Sequence, residues 1–485
     1  MKTPRSRRFA HTLAALGALT AATPFTFAGA FLQTTAGPYE YTDTANWSGT
    51  LIGNNWTSNI TANQTVTFAT DYTIADQDAG GSGSTSTLSI SNTGLFNHTF
   101  IGSGNRTLTL GGNITLGGSA TNANTVTIGS TTDGQKLNVD LGGTSRNITT
   151  GGNRTLEIVN TLSGAGGIAA QGLGTLKLLG TNSFTGAFSF GGSSIASSVV
   201  EITKLANGAQ DSSIGRSASG AGSIIFGGSN AGTLRYIGTG DTTDRLFSVG
   251  SAGGILDASG TGVDGAMKWV NTGSVSWSGT AATRLVTLTG SNTKDNAMLA
   301  SFTDMGANKT SIYKTGTGRW ILGGTNTTTS TTTNNTFTGN ITIDAGTLEL
   351  GASTAGGNGA NVILNGGTFA TGGFSEAFGT LALNGNATLD LGAGDSDLTF
   401  ANSSAVVWGT SISLSIINYT ENVDSIFFGV GGLDATQLAK ITINGFGATL
   451  ENGFLVAAVP EPSTYALLAG AGGLFLAATR RRRAL

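Results

Sequence analysis

Acidic side chains are the residues of this sequence whose types and spacing could do chemistry. Three clusters stand out: Asp76 with Asp78, Asp241 with Asp244 and Arg245, and Asp395 with Asp397. A carboxylate pair held in a cleft can supply the acid and base that cleave a glycosidic bond. Asp among Gly, Ser and Thr is also a common turn-capping residue. We expect turn caps, with a polysaccharide lyase or glycoside hydrolase as the alternative.

Other catalytic groups are scarce. The chain has no cysteine and two histidines, His11 and His98, which gives no basis for thiol chemistry, a Ser-His-Asp triad or a His-rich metal site. The turns at 76–81 and 260–265 faintly resemble calcium-binding loops but complete no calcium motif. We predict no catalytic residue, no metal and no cofactor.

The composition indicates what kind of body these residues belong to. The chain of 485 residues has 77 Gly, 5 Pro and 11% charged residues, with a net charge of -3 and a mean hydropathy of +0.09. An average domain has roughly 25% charged residues and about 7% glycine. The apolar content argues against disorder, and the charge balance implies no nucleic-acid partner. One long, repetitive architecture is expected.

Short alternating segments predict that this architecture is all-β. Leu108 and Leu110, like Ile114 and Leu116, place apolar side chains on one face of a strand. Strands this short need neighbours to be stable, and stacking in a solenoid provides them. We predict a parallel β-helix with about 20 to 25 residues per turn. A β-sandwich array is the alternative fold.

Both ends of the chain have the pattern of export signals. Residues 1–30 combine a basic start, an apolar run at 13–19 and a small-residue cleavage site at Ala28 and Ala30, which is typical of a signal peptide. Residues 464–479 are apolar, and four arginines follow: Arg480, Arg481, Arg482 and Arg483. A membrane span needs about 17 to 25 residues, so a buried C-terminal helix is the alternative to a single transmembrane helix.

The order of parts in the tail favours the membrane helix. The apolar segment is preceded by Val459, Pro460, Glu461 and Pro462, and the arginines end the pattern. This arrangement at 459–485 resembles the PEP-CTERM sorting signal of Gram-negative bacteria. The resemblance implies that an exosortase, an integral-membrane protease, recognises the Pro-Glu-Pro region and removes the helix. The prolines keep this stretch extended and accessible.

Two segments of the body carry an internal repeat. Residues 314–350 contain Gly-Thr-Gly, Thr-Phe-Thr-Gly and Ala-Gly-Thr-Leu elements. Another copy at 172–190 has Gly-Leu-Gly-Thr-Leu and Ser-Phe-Thr-Gly and lacks the Ala-Gly-Thr-Leu element. The pattern resembles the autotransporter-associated β-strand repeat. The resemblance implies a right-handed parallel β-helix, as in autotransporter passengers.

The remaining organisation follows from these parts. We expect a signal peptide at 1–30, a β-solenoid at 31–456 and the sorting signal at 459–485. Within the solenoid, larger apolar residues at 401–456 predict a closing cap, with a short helix from Asp434 to Lys440. Such caps protect the open end of a stack of strands.

The function expected from the sequence is structural. We predict an exported, non-enzymatic protein of the cell surface, outer envelope or extracellular matrix, active in adhesion or biofilm. The expected partners are an exosortase, the membrane (transiently, through the C-terminal helix) and exopolysaccharide. A carbohydrate-binding adhesin is a further alternative, beside the lyase or hydrolase.

Overall fold

The computed structural model describes residues 97–117, 123–191, 198–227, 230–280 and 282–458, together with the backbone of five short strands between residues 38 and 91. The predicted signal peptide at 1–30 and the predicted sorting signal at 459–485 lie outside the described residues. Within the described part, no helix has the length and apolarity needed to cross a membrane.

The described chain is all-β, and its strands form four large sheets. Sheet 1 has 14 strands: Pro38–Glu40, Gln64–Phe68, His98–Gly102, Asn124–Ile128, Arg154–Ile158, Thr175–Leu178, Val199–Ile202, Gly232–Tyr236, Gly254–Ala258, Arg284–Thr289, Thr310–Lys314, Asn340–Ile343, Asn361–Leu364 and Leu381–Leu383. Sheet 2 has four: Tyr72–Ile74, Arg106–Leu110, Leu137–Asp140 and Leu162–Ser163. Sheet 3 has nine: Asn55–Trp56, Leu88–Ser91, Ile114–Gly117, Arg146–Thr150, Ile168–Gly172, Phe188–Phe190, Ile224–Phe226, Ser248–Val249 and Ser276–Trp277.

Sheet 4 also has 14 strands and contains the C-terminal end of the described chain. In pairing order they are Asp241–Thr243, Met267–Trp269, Asn296–Met298, Arg319–Leu322, Thr347–Leu350, Thr368–Ala370, Ala387–Asp390, Leu414–Ile417, Ile441–Ile443, Phe446–Glu451, Phe454–Ala457, Ser425–Phe427, Asp397–Phe400 and Glu376–Phe378. A small hairpin (Thr325–Asn326 with Thr331–Thr332), a 3-10 turn (Ala221–Ser223) and one α-helix (Ala435–Leu438) complete the described elements.

Apart from the C-terminal hairpin of sheet 4, pairing within the large sheets is parallel and joins successive turns of the chain. Thr155, for example, lies between Thr125 and Thr175. Asn361 and Thr380 are bonded neighbours 19 residues apart, and Glu201 and Arg235 are neighbours 34 residues apart. The number of residues per turn therefore varies more widely than the predicted 20 to 25. The loops differ in length, whereas the pairing between strands of successive turns is the same. Parallel sheets stacked in this way are the arrangement expected of a β-helix.

Alternation of apolar and polar residues places the core inside the turns. The predicted pairs Leu108 and Leu110, and Ile114 and Leu116, are all buried, while the residues between them are partly exposed. Phe190 and Phe226 are register partners whose ring centroids lie 4.7 Å apart in a stacked arrangement. The prediction of one apolar face per strand is thus confirmed.

Glycine is required at some corners. Gly172 has a φ of 95°, and a Cβ there would lie 2.0 Å from the carbonyl oxygen of Thr150 on the preceding turn. Only a residue without a side chain combines this backbone conformation with such close approach.

Corresponding strands of the two predicted repeat copies belong to different sheets. In the copy at 172–190, Thr175–Leu178 belongs to sheet 1 and Phe188–Phe190 to sheet 3. In the copy at 314–350, Arg319–Leu322 belongs to sheet 4 and Asn340–Ile343 to sheet 1. The insertion in the copy at 314–350 forms the small antiparallel hairpin. Similar sequences therefore occupy different faces, because the length of the intervening loops decides where each strand falls.

Candidate functional site

The segment that precedes the predicted sorting signal closes the stack of turns. The predicted site residues themselves lie outside the described residues: Ala28, Ala30, Val459, Pro460, Glu461, Pro462, Arg480, Arg481, Arg482 and Arg483. Their roles stay predictions. The described chain ends at Ala458, whose backbone N–H donates to the Gly447 carbonyl, so the ordered body reaches the residue before this motif.

An antiparallel hairpin covers the free edges of sheet 4. Phe446–Glu451 pairs with Ile441–Ile443, and Phe454–Ala457 pairs with Phe446–Glu451 and with Ser425–Phe427. The turns are Asn444-Gly445 and Asn452-Gly453, with positive φ at all four residues, as two-residue hairpin turns require. Two parallel edges that would otherwise be exposed are thereby joined.

A loop and the α-helix cover the last strand of sheet 1. The Trp408 indole donates to the Leu381 carbonyl at 3.1 Å, and the Gly409 N–H donates to the Leu383 carbonyl at 2.8 Å. The Gln437 side chain in turn donates to the Ser403 and Val406 carbonyls of this loop. The unpaired groups of the terminal strand are therefore satisfied by the chain itself.

The helix that supports this loop is the one predicted from the sequence. It spans Ala435–Leu438 and begins with a capping box, in which the Asp434 carboxylate accepts from the Gln437 N–H and the Gln437 side chain accepts from the Asp434 N–H. The prediction of a short helix between Asp434 and Lys440 is confirmed. Sequence reasoning predicted a closing cap at 401–456 but missed its antiparallel hairpin, for which the two Asn-Gly pairs were the signal.

The closing segment also concentrates exposed apolar surface. Among the residues that the structure describes, nine large apolar side chains are exposed, and six of them lie between Val407 and Phe454. Phe427 and Phe454 are in contact, with ring centroids 4.8 Å apart. Val430 is 84% exposed. This surface lies next to the end of the described chain.

The candidate catalytic cluster around Asp241 is engaged in structure. The Asp241 carboxylate accepts from the Tyr236 hydroxyl at 2.9 Å and from the Leu205 N–H at 3.0 Å. The Asp244 carboxylate accepts from the Gly208 N–H at 2.7 Å. Arg245 is fully buried, which lowers its pKa, and donates to the carbonyls of the turn around it. These groups fasten corners, as expected of turn caps.

The other candidate clusters have similar roles. Asp397 accepts from the Ser425 hydroxyl on the adjacent turn at 2.6 Å. At the turn 260–265, the Asn292 amide donates to the Gly260 and Asp264 carbonyls, and Lys268 lies 3.6 Å from the Asp264 carboxylate. Asp76 and Asp78 lie outside the described residues. Within the described ranges, no group of three or more metal-ligating side chains converges.

Buried cations are a feature that sequence reasoning missed. Lys314 is fully buried, and its ammonium donates to the carbonyls of Thr315, Gly316 and Ala345 at 2.8 to 2.9 Å. Burial lowers the pKa of Lys314 to about 8. Arg284 similarly donates to the carbonyls of a single loop. Such a cation donates hydrogen bonds to several corner carbonyls at once. No local sequence pattern predicts this role.

Alternating charges form a ladder on the outer face of sheet 1. Five consecutive turns contribute Glu157, Lys177, Glu201, Arg235 and Asp257 in register. The four ion pairs between neighbours measure 3.2, 3.6, 3.0 and 2.7 Å. All five charges are paired across adjacent strands, along the stacking direction, so this face favours the observed register.

His98 lies in the interior rather than in a site. It belongs to the strand His98–Gly102 and is fully buried. Burial, together with the charge of Arg154, lowers the pKa of His98 to about 4. The side chain is therefore neutral at physiological pH.

Comparison with known proteins supplies what the geometry leaves open. The model of the PEP-CTERM protein-sorting motif matches residues 458–483. The chain is 42% identical over 152 residues to the Adhesin BmaC autotransporter of Brucella suis biovar 1 (strain 1330), a match that covers 31% of this chain and 4% of that protein. No solved structure gives a significant match.

These matches confirm the resemblance noted in the sequence. The motif implies processing by an exosortase, and together with the adhesin similarity it points to the cell surface. The chain is an exported protein that carries a PEP-CTERM protein-sorting motif at 458–483 and is related over part of its length to an autotransporter adhesin.

Proposed function

We propose that this protein is a non-enzymatic structural component of the cell surface or extracellular matrix, which an exosortase processes at its sorting signal. The single observation that carries the proposal is the direct succession of a closed β body and a PEP-CTERM motif that begins at residue 458. The antiparallel pairing that closes sheet 4 ends at Ala457, just before this motif.

The proposal includes the finer architecture. The signal peptide occupies 1–30 with cleavage at Ala28 and Ala30, a right-handed parallel β-helix occupies 31–456, and a transmembrane helix occupies 464–479. Val459, Pro460, Glu461 and Pro462 form the protease recognition region, and Arg480 to Arg483 hold the helix end on the cytoplasmic side. The host is a Gram-negative bacterium.

A role in adhesion or in association with exopolysaccharide agrees with two observations. The similar Brucella protein is an adhesin by name. The carboxylates of Asp241, Asp244 and Asp397 are engaged in hydrogen bonds within and between turns, which disfavours the lyase or hydrolase alternative. A stiff, repetitive body with short hydroxyl and amide side chains on its faces suits a surface or matrix component.

Intact-mass measurement of the protein from its native host tests the proposal. We expect a mass that lacks both residues 1–30 and the C-terminal segment. In a Pro460→Ala/Pro462→Ala variant, the C-terminal segment should be retained and the protein should accumulate in the membrane fraction. Glu451→Gln, an exposed change in the closing hairpin, is the matched control and should be processed normally.

Two results would contradict the proposal. One is a full-length chain in the cytoplasm, and the other is normal processing of the double proline variant. Release of reducing sugars or unsaturated uronates from a polysaccharide panel would instead support the enzyme alternative.

A further inference from the structure

The exposed apolar side chains of the closing segment lie where the chain leaves the body. Val430 and Phe454 are exposed and Phe427 is half-buried, and we name these three side chains the cap patch. The rings of Phe427 and Phe454 are in contact at a tilt of 56° at one end of the hairpin, and Gly453 beside them lies against Gly429, next to Val430. At the other end of the hairpin, the Gly447 carbonyl accepts from the N–H of Ala458, the last described residue.

The position of the patch limits what can cover it. Five residues, 459–463, separate the described chain from the apolar segment 464–479, so residue 464 is six residues after Ala458. A fully extended chain spans at most 3.3 to 3.6 Å per residue, so the body stays within about 20 Å of the start of that segment. While the tail is anchored, the cap patch is therefore held near the surface of the bilayer.

The chemistry of the patch fits the lipid interface better than an electrostatic contact. Aromatic and aliphatic side chains enter the boundary between headgroups and acyl chains. Glu451, which pairs with Phe454 in the hairpin, makes a purely charge-driven contact unfavourable.

We infer that the cap patch inserts into the lipid interface of the membrane in which the tail is anchored, and so seats the body end-on before processing. This inference rests on the proposed anchoring of the tail. It goes beyond that proposal, because an exosortase could also process a body that is tethered flexibly and does not touch the membrane. Seating would hold the Pro-Glu-Pro region at the membrane surface in one orientation. Cleavage of the tail then removes the anchor that keeps the patch in place.

Spin labels at single cysteines test this arrangement in the full-length chain, which has no cysteine of its own. Val430→Cys places a nitroxide in the patch, and Val263→Cys, at a site 95% exposed on the body, is the matched control. Both proteins are reconstituted in vesicles of phosphatidylethanolamine and phosphatidylglycerol. We then measure collision of each label with oxygen, which partitions into lipid, and with a water-soluble nickel chelate.

The expected result is a label at position 430 that lies about 5 to 10 Å below the headgroup surface, while the label at 263 stays aqueous. Equal access of the nickel chelate to both labels, in protein that floats with the vesicles, would overturn the inference and leave the anchoring intact. Failure of the full-length chain to float would overturn the anchoring itself. Protection that is present before vesicles are added, or that is lost on dilution of protein in lipid, would assign the patch to the tail or to a second copy instead.

Discussion

Acidification should destabilise this protein through His98. The folded state holds this side chain neutral, because burial and the charge of Arg154 lower its pKa from 6.5 to about 4. The unfolded state therefore binds a proton between pH 6.5 and 4 that the folded state does not, and stability is lost as the pH falls through this window. Each pKa unit corresponds to about 1.4 kcal/mol. The loss should reach about 2 kcal/mol at pH 5 and about 3 kcal/mol at pH 4.

Urea unfolding of the processed protein at pH 7.5, 6 and 5 measures this effect. His11 and His98 are the two histidines of the chain, and the predicted signal cleavage removes His11, so few groups other than His98 titrate above pH 5. His98→Asn, which cannot become charged, is the control and should reduce the pH dependence whatever its effect at pH 7.5. Amide exchange in the strand His98–Gly102 localises the loss, because stacked turns can open independently.

The reasoning would be refuted by equal pH dependence in the native protein and in His98→Asn. It would also be refuted by a stability that rises between pH 6.5 and 5, since the sign follows directly from the lowered pKa. Loss of stability only below pH 4 would point to groups other than His98.

Three further substitutions test the features described above. Arg245→Met should destabilise the protein by about 3 kcal/mol or more, since it leaves buried corner carbonyls without a donor; urea unfolding checks this, and no change would show that water replaces the guanidinium. Lys177→Glu places three negative charges on adjacent turns, together with Glu157 and Glu201, and should lower the free energy of unfolding by about 1 kcal/mol. Salt at 1 M should reduce this loss, and the neutral variant Lys177→Gln should show little of it. Gln437→Ala removes two hydrogen bonds to the loop over sheet 1 and should cost about 1 to 3 kcal/mol, with concentration-dependent association in light scattering; a protein that stays monodisperse would show that the loop holds without the helix.

Local pattern was sufficient to predict the strands and their orientation. Leu176 and Leu178, like Ile341 and Ile343, alternate with polar residues and are buried. Alternation is readable because successive side chains of a strand point to opposite faces. The short helix at 435–438 was likewise readable, since Asp434 and Gln437 have capping-box spacing.

The buried cations could not be predicted in the same way. Lys314 has an ordinary sequence neighbourhood, and its third acceptor, the Ala345 carbonyl, is 31 residues away. Arg319 bonds to Asp295 on one side and to Glu349 on the other. Partners at such separations depend on the length of every loop between them, which no local pattern records.

By itself the sequence determined that the chain is exported, that it carries a sorting motif at 458–483, and that its body is built from short strands with one apolar face. These properties depend on the order and period of residues. The tertiary structure alone decided which side chains meet. The carboxylates of Asp241, Asp244 and Asp397 accept hydrogen bonds from other segments of the chain. Lys314 and Arg245 are buried, and Phe446 and Phe454 are exposed in the closing hairpin. The physical reason is that parallel stacking brings together residues from successive turns, and turns of different length choose those partners.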